Sequence, residues 1–333
     1  DEDAVPRAVD EGWLADVPPP RAAEPTGDLM AERVCVIVNP ASGRGRGART
    51  LPAVRSAFAA VGVTDIRLSQ SREDERAVAR RALDEGVTTL VAVGGDGTWS
   101  NVANAILEAR ADCRLALVAA GTGNDFAKTA GAPAADVLLT ARLVVEGADR
   151  RVDVGRIEDR FFLNITGFGF DIAVLEDITG IRWLRGDALY IYSALRQLGG
   201  YGGVDIEVSS PAGRRGSMRH LMLIIANAKN FGGAFRIAPG ASLTDGRLDA
   251  VSLHDASLLG RLGLFAAAIR GTHVTRPGVH VEQAASFSLR FPSPPAYETD
   301  GEYRRAASAT LEVACVPQAL RVVVGDGAAP SHG

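Results

Sequence analysis

Hydrophobic positions follow two different rhythms along this chain. From Glu32 onward, short apolar runs alternate with stretches of helical spacing. Residues 35–38 are uninterrupted apolar, as in a strand covered on both faces; Leu51, Val54, Phe58 and Val61 then recur every three or four positions. The cycle repeats: 66–68, then Val78, Ala79, Ala82 and Leu83 up to Gly86; 89–93, then Val102, Ala103, Ile106 and Leu107; 115–119, then Val137, Leu138, Ala141, Val144 and Val145. Strands alternating with helices predict a parallel, doubly wound sheet over 31–150.

Beyond about residue 150 the rhythm changes. Segments 151–156, 161–166, 204–209, 221–226, 248–253, 286–291 and 309–313 read as strands separated by turns, and helical spacing occurs only near 183–198 and 257–269. This predicts an antiparallel sandwich over 151–316. Residues 317–333 are expected to form a last strand, with 320–324 returning to the first domain, and a tail. Residues 1–30 hold five prolines and ten charges and predict a flexible extension; an arm docked through Trp13 and Leu14 is the alternative. The predicted fold class is α/β, a doubly wound domain followed by a β-rich sandwich, with the site in the cleft between them.

With 333 residues, 47% hydrophobic and 23% charged, the chain can bury a large core. This excludes a disordered chain, a collagen and a disulfide mini-protein. Charge is uneven: residues 1–30 carry net −6, which leaves +2 for 31–333. A near-neutral body does not suggest nucleic acid as a partner. Cys35, Cys113 and Cys315 are far apart in sequence, which fits a reducing compartment. The apolar stretch 258–269 is interrupted by Arg261 and is shorter than the roughly 20 residues a spanning helix needs. Acids stand in 1–30 where a signal peptide has bases. A cytoplasmic protein is expected.

Three predicted strands run into glycine-rich loops. The first is Asn39-Pro40-Ala41-Ser42-Gly43, continuing to Gly47. A glycine loop opening a helix can present N–H groups and the positive helix end to a phosphate. Gly43, Gly45 and Ala48 also match a dinucleotide fingerprint, but Ser69 and Gln70 stand where a ribose-binding acid is needed. No Gly-Lys-Ser/Thr occurs, so a Walker A loop is excluded. An ordinary turn remains the alternative. The second loop is Gly94-Gly95-Asp96-Gly97-Thr98, in which Asp96 either handles metal and phosphate or caps the helix. The third, Gly121-Thr122-Gly123-Asn124-Asp125, repeats the design. Three such loops at successive strand ends predict one phosphate-and-metal crevice. The acidic segments Ser242-Leu243-Thr244-Asp245-Gly246-Arg247 and Glu298-Thr299-Asp300-Gly301-Glu302 read, by themselves, as plain turns before functional ones, since Asp-Gly is a common turn pair.

Taken in order, these segments, with 164–171 and 238–249, resemble the diacylglycerol kinase catalytic family, the bacterial lipid kinases related to sphingosine and ceramide kinases. The resemblance spans 33 to about 325 and implies a nucleotide-binding first domain. It implies that ATP is held by Asn39 to Gly43, by Gly94, Gly95, Asp96, Gly97, Thr98, Trp99 and Ser100, and by Thr122. It implies an acid–water–Mg²⁺ network of Asp96, Asp125 and Asp245. It also implies a structural Mg²⁺ at Asp245 with the carbonyls of Ser242 and Arg247, and a general base at Asp300 or Glu302, with a lean to Asp300. The family usually carries a glutamate where this chain has Asn101. The implied reaction is ATP-dependent phosphorylation of a lipid hydroxyl, diacylglycerol first. The alternatives are another lipid or specialised alcohol, an NAD kinase, or a non-catalytic nucleotide-binding regulator. A lipid acceptor implies peripheral membrane contact, through Leu258, Leu259, Leu262, Phe265 and Ile269 or through Ile181, Trp183 and Leu184. A homodimer is left open.

Overall fold

A computed structural model describes residues 33–147, 149–178, 192–193, 196–197, 199–214 and 216–325. The extension 1–30, most of the expected helix 183–198 and the tail after 325 lie outside the described residues.

Apolar runs become central strands and amphipathic stretches become the helices that cover them. In the first half the order is β1 (Val34–Val38), α1 (Ser42–Ala60), β2 (Ile66–Leu68), α2 (Arg72–Asp84), β3 (Thr89–Gly94), α3 (Asp96–Ala109), β4 (Arg114–Ala119), α4 (Asp125–Ala130) and α5 (Val137–Glu146). The strands pair in parallel in the order β2-β1-β3-β4. Alternate residues feed opposite faces: Cys35, Ile37, Leu90, Ala92, Leu115 and Leu117 pack with residues of α2, α3 and α4. Val36, Val38, Val91, Val93, Ala116 and Val118 pack with residues of α1 and α5. Each strand is buried on both sides, so its sequence shows no alternation.

The second half contains β5 (Asp149–Ile157), β6 (Arg160–Phe162), β7 (Ile165–Gly169), α6 (Phe170–Ile178), β8 (Val204–Ser210), β9 (Gly213–Arg214) and β10 (Met218–Ala226). It continues with β11 (Leu248–His254), α7 (Leu258–Arg270), β12 (Val279–Ala284), β13 (Ser286–Arg290), β14 (Ala296–Thr299), β15 (Glu302–Arg305) and β16 (Thr310–Val323). Apart from β16 with β4, these strands pair antiparallel. Phe162, Phe168, Ile206, Leu223, Ile225, Phe287, Leu289 and Val313 fill the space between two sheets, and Ile224, Ala226, Val251 and Leu253 turn outward, in one cluster with Ala268 of α7. β8 bonds to β10 of one sheet and to β13 of the other.

Two expected elements differ. The run 161–166 is two strands, β6 and β7, broken at Leu163 and Asn164. The run 309–313 is the start of a 14-residue strand, β16, whose far end pairs in parallel with β4 through Arg321 and Val322. Pro317 lies in that strand where its ladder with β5 shifts register between Val316 and Leu320. Proline cannot donate to a ladder, so a bulge is where a long strand tolerates it.

Candidate active site

The site grows from the three glycine loops. Asn39 follows β1, and its Oδ1 accepts the N–H groups of Ala41 (2.9 Å) and Ser42 (3.0 Å), a side-chain turn that sets the loop. Ser42 Oγ donates to the Asn39 carbonyl (3.0 Å). Gly43, Arg44 and Gly45 have φ of 52°, 58° and 84°. This left-handed stretch, unstrained at its two glycines, carries Arg44 to the cleft. The second and third loops meet backbone to backbone at Gly95 and Gly121, where a methyl on either would overlap the other.

Asp96 and Asp125 open α3 and α4. Asp96 Oδ1 accepts the N–H of Phe126 (3.0 Å) and the amide of Asn164 (3.4 Å). Asp125 accepts Lys128 Nζ and the N–H of Gly233, both at 2.8 Å. Each acid therefore reaches from the parallel sheet into the second half. They also converge on Gly123, where a methyl would stand 3.2 Å from one carboxylate and 3.3 Å from the other. Burial pushes the Asp96 carboxyl above its ordinary range, and the Asp125 charge adds to the shift.

The second half supplies the opposite wall. β14 and β15 form a hairpin with Thr299 opposite Glu302. Its two central residues, Asp300 and Gly301, have φ of 49° and 83°, the conformation for which Asp-Gly is favoured. Asp300 is thus both the turn residue and a site residue. Its Oδ2 accepts the N–H of Leu163 (2.8 Å), and its Oδ1 accepts those of Asn164 (2.8 Å) and Ile165 (3.3 Å). The break between β6 and β7 turns Leu163 and Asn164 out of the ladder to meet it. Burial nevertheless pushes Asp300 up to about 6. Glu302 differs: its carboxylate is held by Arg160 (3.1 Å) and Arg72 (3.4 Å).

These residues line one cleft of about 340 Å³, with Arg44, Arg72, Thr122 and the loop Phe231–Gly232–Gly233. Of the other expected ATP contacts, Gly97 also lines the cleft, Ala41 is exposed, and the three residues after Gly97 pack inward. Thr98 and Ser100 are buried, and Trp99 is fully buried with its indole N–H on the Ala92 carbonyl (3.1 Å). Asp245 does not join Asp96 and Asp125: it sits on an exposed loop, accepts the Arg247 N–H (3.0 Å) and is not part of the cleft wall. Its repulsion acts on buried Asp153, whose pKa is raised first by burial and then by Asp245.

Sequence reasoning missed Arg44, Arg72 and Glu75. Glu75 is fully buried and accepts from Asn39 Nδ2 (2.6 Å), Thr98 Oγ1 (3.0 Å) and Asn101 Nδ2 (2.8 Å). It ties the first loop to the second. Asn101 of α3 is thereby the donor to an acid of α2. The signal was present, since Glu75 stands in the stripe Glu75, Val78, Ala79, Ala82 that α2 buries.

Comparison with known proteins agrees with this geometry. Residues 33–157 match the diacylglycerol kinase catalytic domain, and 164–324 match the YegS C-terminal NAD kinase beta sandwich-like domain. The chain belongs to the diacylglycerol kinase catalytic family. It is 27% identical over 307 residues to a protein of Mycobacterium tuberculosis named diacylglycerol kinase, covering 90% of this chain and 96% of that one. A Bacillus subtilis protein of the same name is 26% identical over 274 residues, covering 82% and 90%. A crystal structure of a putative diacylglycerol kinase from Bacillus anthracis superposes with a TM-score of 0.73 at 19% identity, over 91% of this chain and all of that one. An Archaeoglobus fulgidus NAD kinase solved with ATP shares the fold at a TM-score of 0.51 and 12% identity, over 88% and 94%. This diacylglycerol kinase family member is therefore a phosphotransferase that uses ATP and acts on a lipid hydroxyl. Among the described residues no helix is long and apolar enough to cross a membrane.

Proposed function

We propose that this kinase phosphorylates the free hydroxyl of diacylglycerol at a membrane surface, giving phosphatidic acid. One observation carries the reading: Phe231 is a wall shared by the polar cleft and by an apolar pocket of about 70 Å³ lined by Phe170, Val174, Phe235, Leu264 and Phe265. An acceptor with its chain in the pocket can extend a hydroxyl toward Asp300.

Asp300 is the general base. It takes the hydroxyl proton as the oxygen bonds to the γ-phosphorus and the bond to the ADP oxygen breaks. A carboxyl with its pKa near 6 is ionised at neutral pH yet more basic than an exposed one. Asp300 is held by three backbone N–H groups, so its oxygens are fixed before the acceptor arrives. Arg44 and Arg72 face the phosphates. Asp96 and Asp125 would hold Mg²⁺, which supplies charge neutralisation to the phosphates when bound. The donor set fits: hard carboxylate oxygens converge on Gly123, and the Asp125 charge raises the Asp96 pKa, a repulsion that a bound cation would relieve. The structural Mg²⁺ at Ser242, Asp245 and Arg247 is proposed on similar grounds, since Asp245 raises the Asp153 pKa across that loop.

Membrane contact is assigned to α7. Its Arg261, Leu264, Ala267 and Ala268 face inward, while Leu258, Leu259, Leu262 and Ile269 are exposed beside the pocket that Leu264 and Phe265 line. The alternative surface at Ile181, Trp183 and Leu184 lies outside the described residues.

The test is the purified chain with γ-labelled ATP, Mg²⁺ and diacylglycerol in mixed micelles. Labelled phosphatidic acid is expected. Label on NAD and none on lipid overturns the reading.

A further inference from the structure

The wall between the polar cleft and the apolar pocket is the tip of a hairpin. Phe231 and Phe235 exchange both backbone hydrogen bonds, the Phe231 N–H donating to the Phe235 carbonyl (2.9 Å) and the Phe235 N–H to the Phe231 carbonyl (3.1 Å). Between them, Gly232 and Gly233 have φ of 63° and 78°, left-handed positions that favour glycine. Phe231 lines both cavities, Gly232 and Gly233 line the cleft, and Phe235 lines the pocket. The two glycines bring no side chains to seat the tip. Its place is therefore set by what its backbone and its two phenyl rings touch.

On the pocket side the Phe235 ring meets Phe265 of α7 edge to face, with ring centres 5.0 Å apart. On the cleft side the seat is α4. The Gly233 N–H donates to Asp125 Oδ2 (2.8 Å). Lys128, one turn along α4, donates to Asp125 Oδ1 (2.8 Å) and to the Gly233 carbonyl (3.3 Å). Gly233 is thus gripped at its N–H by an acid and at its C=O by that acid's own ion-pair partner. At the base of the hairpin the Lys229 N–H donates to Thr129 Oγ1 (3.3 Å), a third tie to the same helix. Asp125 is buried and lines the cleft, whereas Lys128 is exposed and is not part of the cleft wall. It holds the hairpin from outside.

Charge gives this grip two effects of opposite sign. The ammonium strengthens the hold on Gly233, and it offsets part of the Asp125 charge, which weakens the pull of that carboxylate on a cation. A side chain that serves the nucleotide would help on that side. Lys128 helps on the other.

Resting on the lipid-kinase reading, we propose that Lys128 is a positioning residue for the acceptor: it ties the Phe231–Phe235 hairpin to Asp125, so that the phenyl wall along which the acceptor chain lies is fixed from the phosphate side. Loosening the tie leaves Phe231 seated only by its neighbour's ring, and the acceptor hydroxyl is presented less often in line with the phosphoryl group.

The test compares the wild type with Lys128→Met, which keeps the unbranched stem and removes the donors and the charge, and with Lys128→Arg, which keeps both. Three quantities are read: hydrogen exchange of the backbone over 229–236 without ligands, MgATP affinity by calorimetry, and kcat/KM for diacylglycerol in mixed micelles at saturating ATP. In Lys128→Met the hairpin amides should exchange roughly 3- to 10-fold faster, as for the loss of one partly exposed charged hydrogen bond. The kcat/KM for diacylglycerol should fall by a similar factor, while MgATP affinity holds or rises. Lys128→Arg should stay close to the wild type in all three. Unchanged exchange over 229–236, or an unchanged kcat/KM for diacylglycerol, overturns the positioning role and leaves the lipid-kinase reading standing. Weaker MgATP binding overturns it too, by making Lys128 a nucleotide contact, and so does faster exchange spread over the whole chain, by making it a brace of the fold. A wild type that phosphorylates no diacylglycerol overturns the acceptor role together with the lipid reading, and exchange over 229–236 then still reports whether the tie exists.

Discussion

Glu75 and Glu298 are both completely buried glutamates, and their surroundings are opposite. Glu75, in the nucleotide half, accepts from Asn39, Thr98 and Asn101. Glu298, in the antiparallel half, faces the carboxyl of Asp171, and among the described residues no side-chain amide or hydroxyl donates to it. A buried acid with every oxygen met is scaffold: it spends its charge fixing the loops around it. One that faces a second acid costs stability and persists only where something else selects for it. On this contrast, the glycine loops of the first half are braced by Glu75, while the second half carries an acid whose pKa is raised by burial and by the Asp171 beside it.

Asp300 combines the two conditions, and breaking it should have the largest effect. It is buried and bonded like Glu75, yet it opens on the cleft. Asp300→Asn should lower kcat by roughly 10²–10⁴-fold, the usual contribution of a positioned base, with ATP affinity near wild type by calorimetry. Glu302→Gln, which loosens an arginine-held carboxylate, should cost far less. Near-wild-type kcat in Asp300→Asn would make the hairpin purely structural.

The contrast predicts opposite stabilities for the two glutamates. Glu75→Ala removes one acceptor from three donors, two of them side-chain amides, and should destabilise by about 3 kcal/mol. Glu298→Met removes a carboxyl that burial and Asp171 both disfavour in its charged form, so stability should hold or rise. Urea unfolding of both variants checks this, and equal losses would erase the distinction.

The pH profile is the next test. Asp300 acts as a base only when deprotonated, and its pKa is raised to about 6. The rate should therefore be flat above that pH and fall about tenfold per unit below it. The stability linkage has the matching sign: the folded state binds this proton more tightly, so the favourable contribution is complete below about 4 and is lost as pH rises through about 6. An acid limb near 4 would place the base on an exposed carboxylate.

The βα half was legible because local and tertiary signals agree there: strands buried on both faces are apolar runs, and their loops are marked by glycine. In the second half, 161–166 is one apolar run, and its break at Leu163 and Asn164 is dictated by Asp300, over 130 positions away. β14 follows Pro292, Pro294 and Pro295, so it reads as loop, and the hairpin that aims Asp300 was missed with it. Glu75 was visible as an acid in an apolar stripe, but its partners come from two other loops. Trp99 and Thr98 carry motif identity from buried positions, because a motif records which residues occur together and not which way each one faces.

The smallest expected effect concerns the outer face of α7. Leu259 is 81% exposed, and Leu258 is 53% exposed beside it, on a helix whose opposite side closes the apolar pocket. Ser257 caps this helix by accepting the Gly260 N–H, so its position does not depend on what the leucines touch. Leu259→Gln should leave stability within about 0.5 kcal/mol, as for most surface changes. If the face rests on lipid, the same variant loses part of one side chain's burial, on the order of 1 kcal/mol or a few-fold in partitioning. Flotation with neutral and anionic vesicles should show that shift, and Leu258→Gln/Leu259→Gln should enlarge it. Activity on a short-chain, monomeric acceptor should not change, because neither leucine lines the cleft or the pocket. Equal vesicle binding by the wild type and the double variant would move the membrane contact off α7 and leave the comparison of the two halves to their buried acids alone.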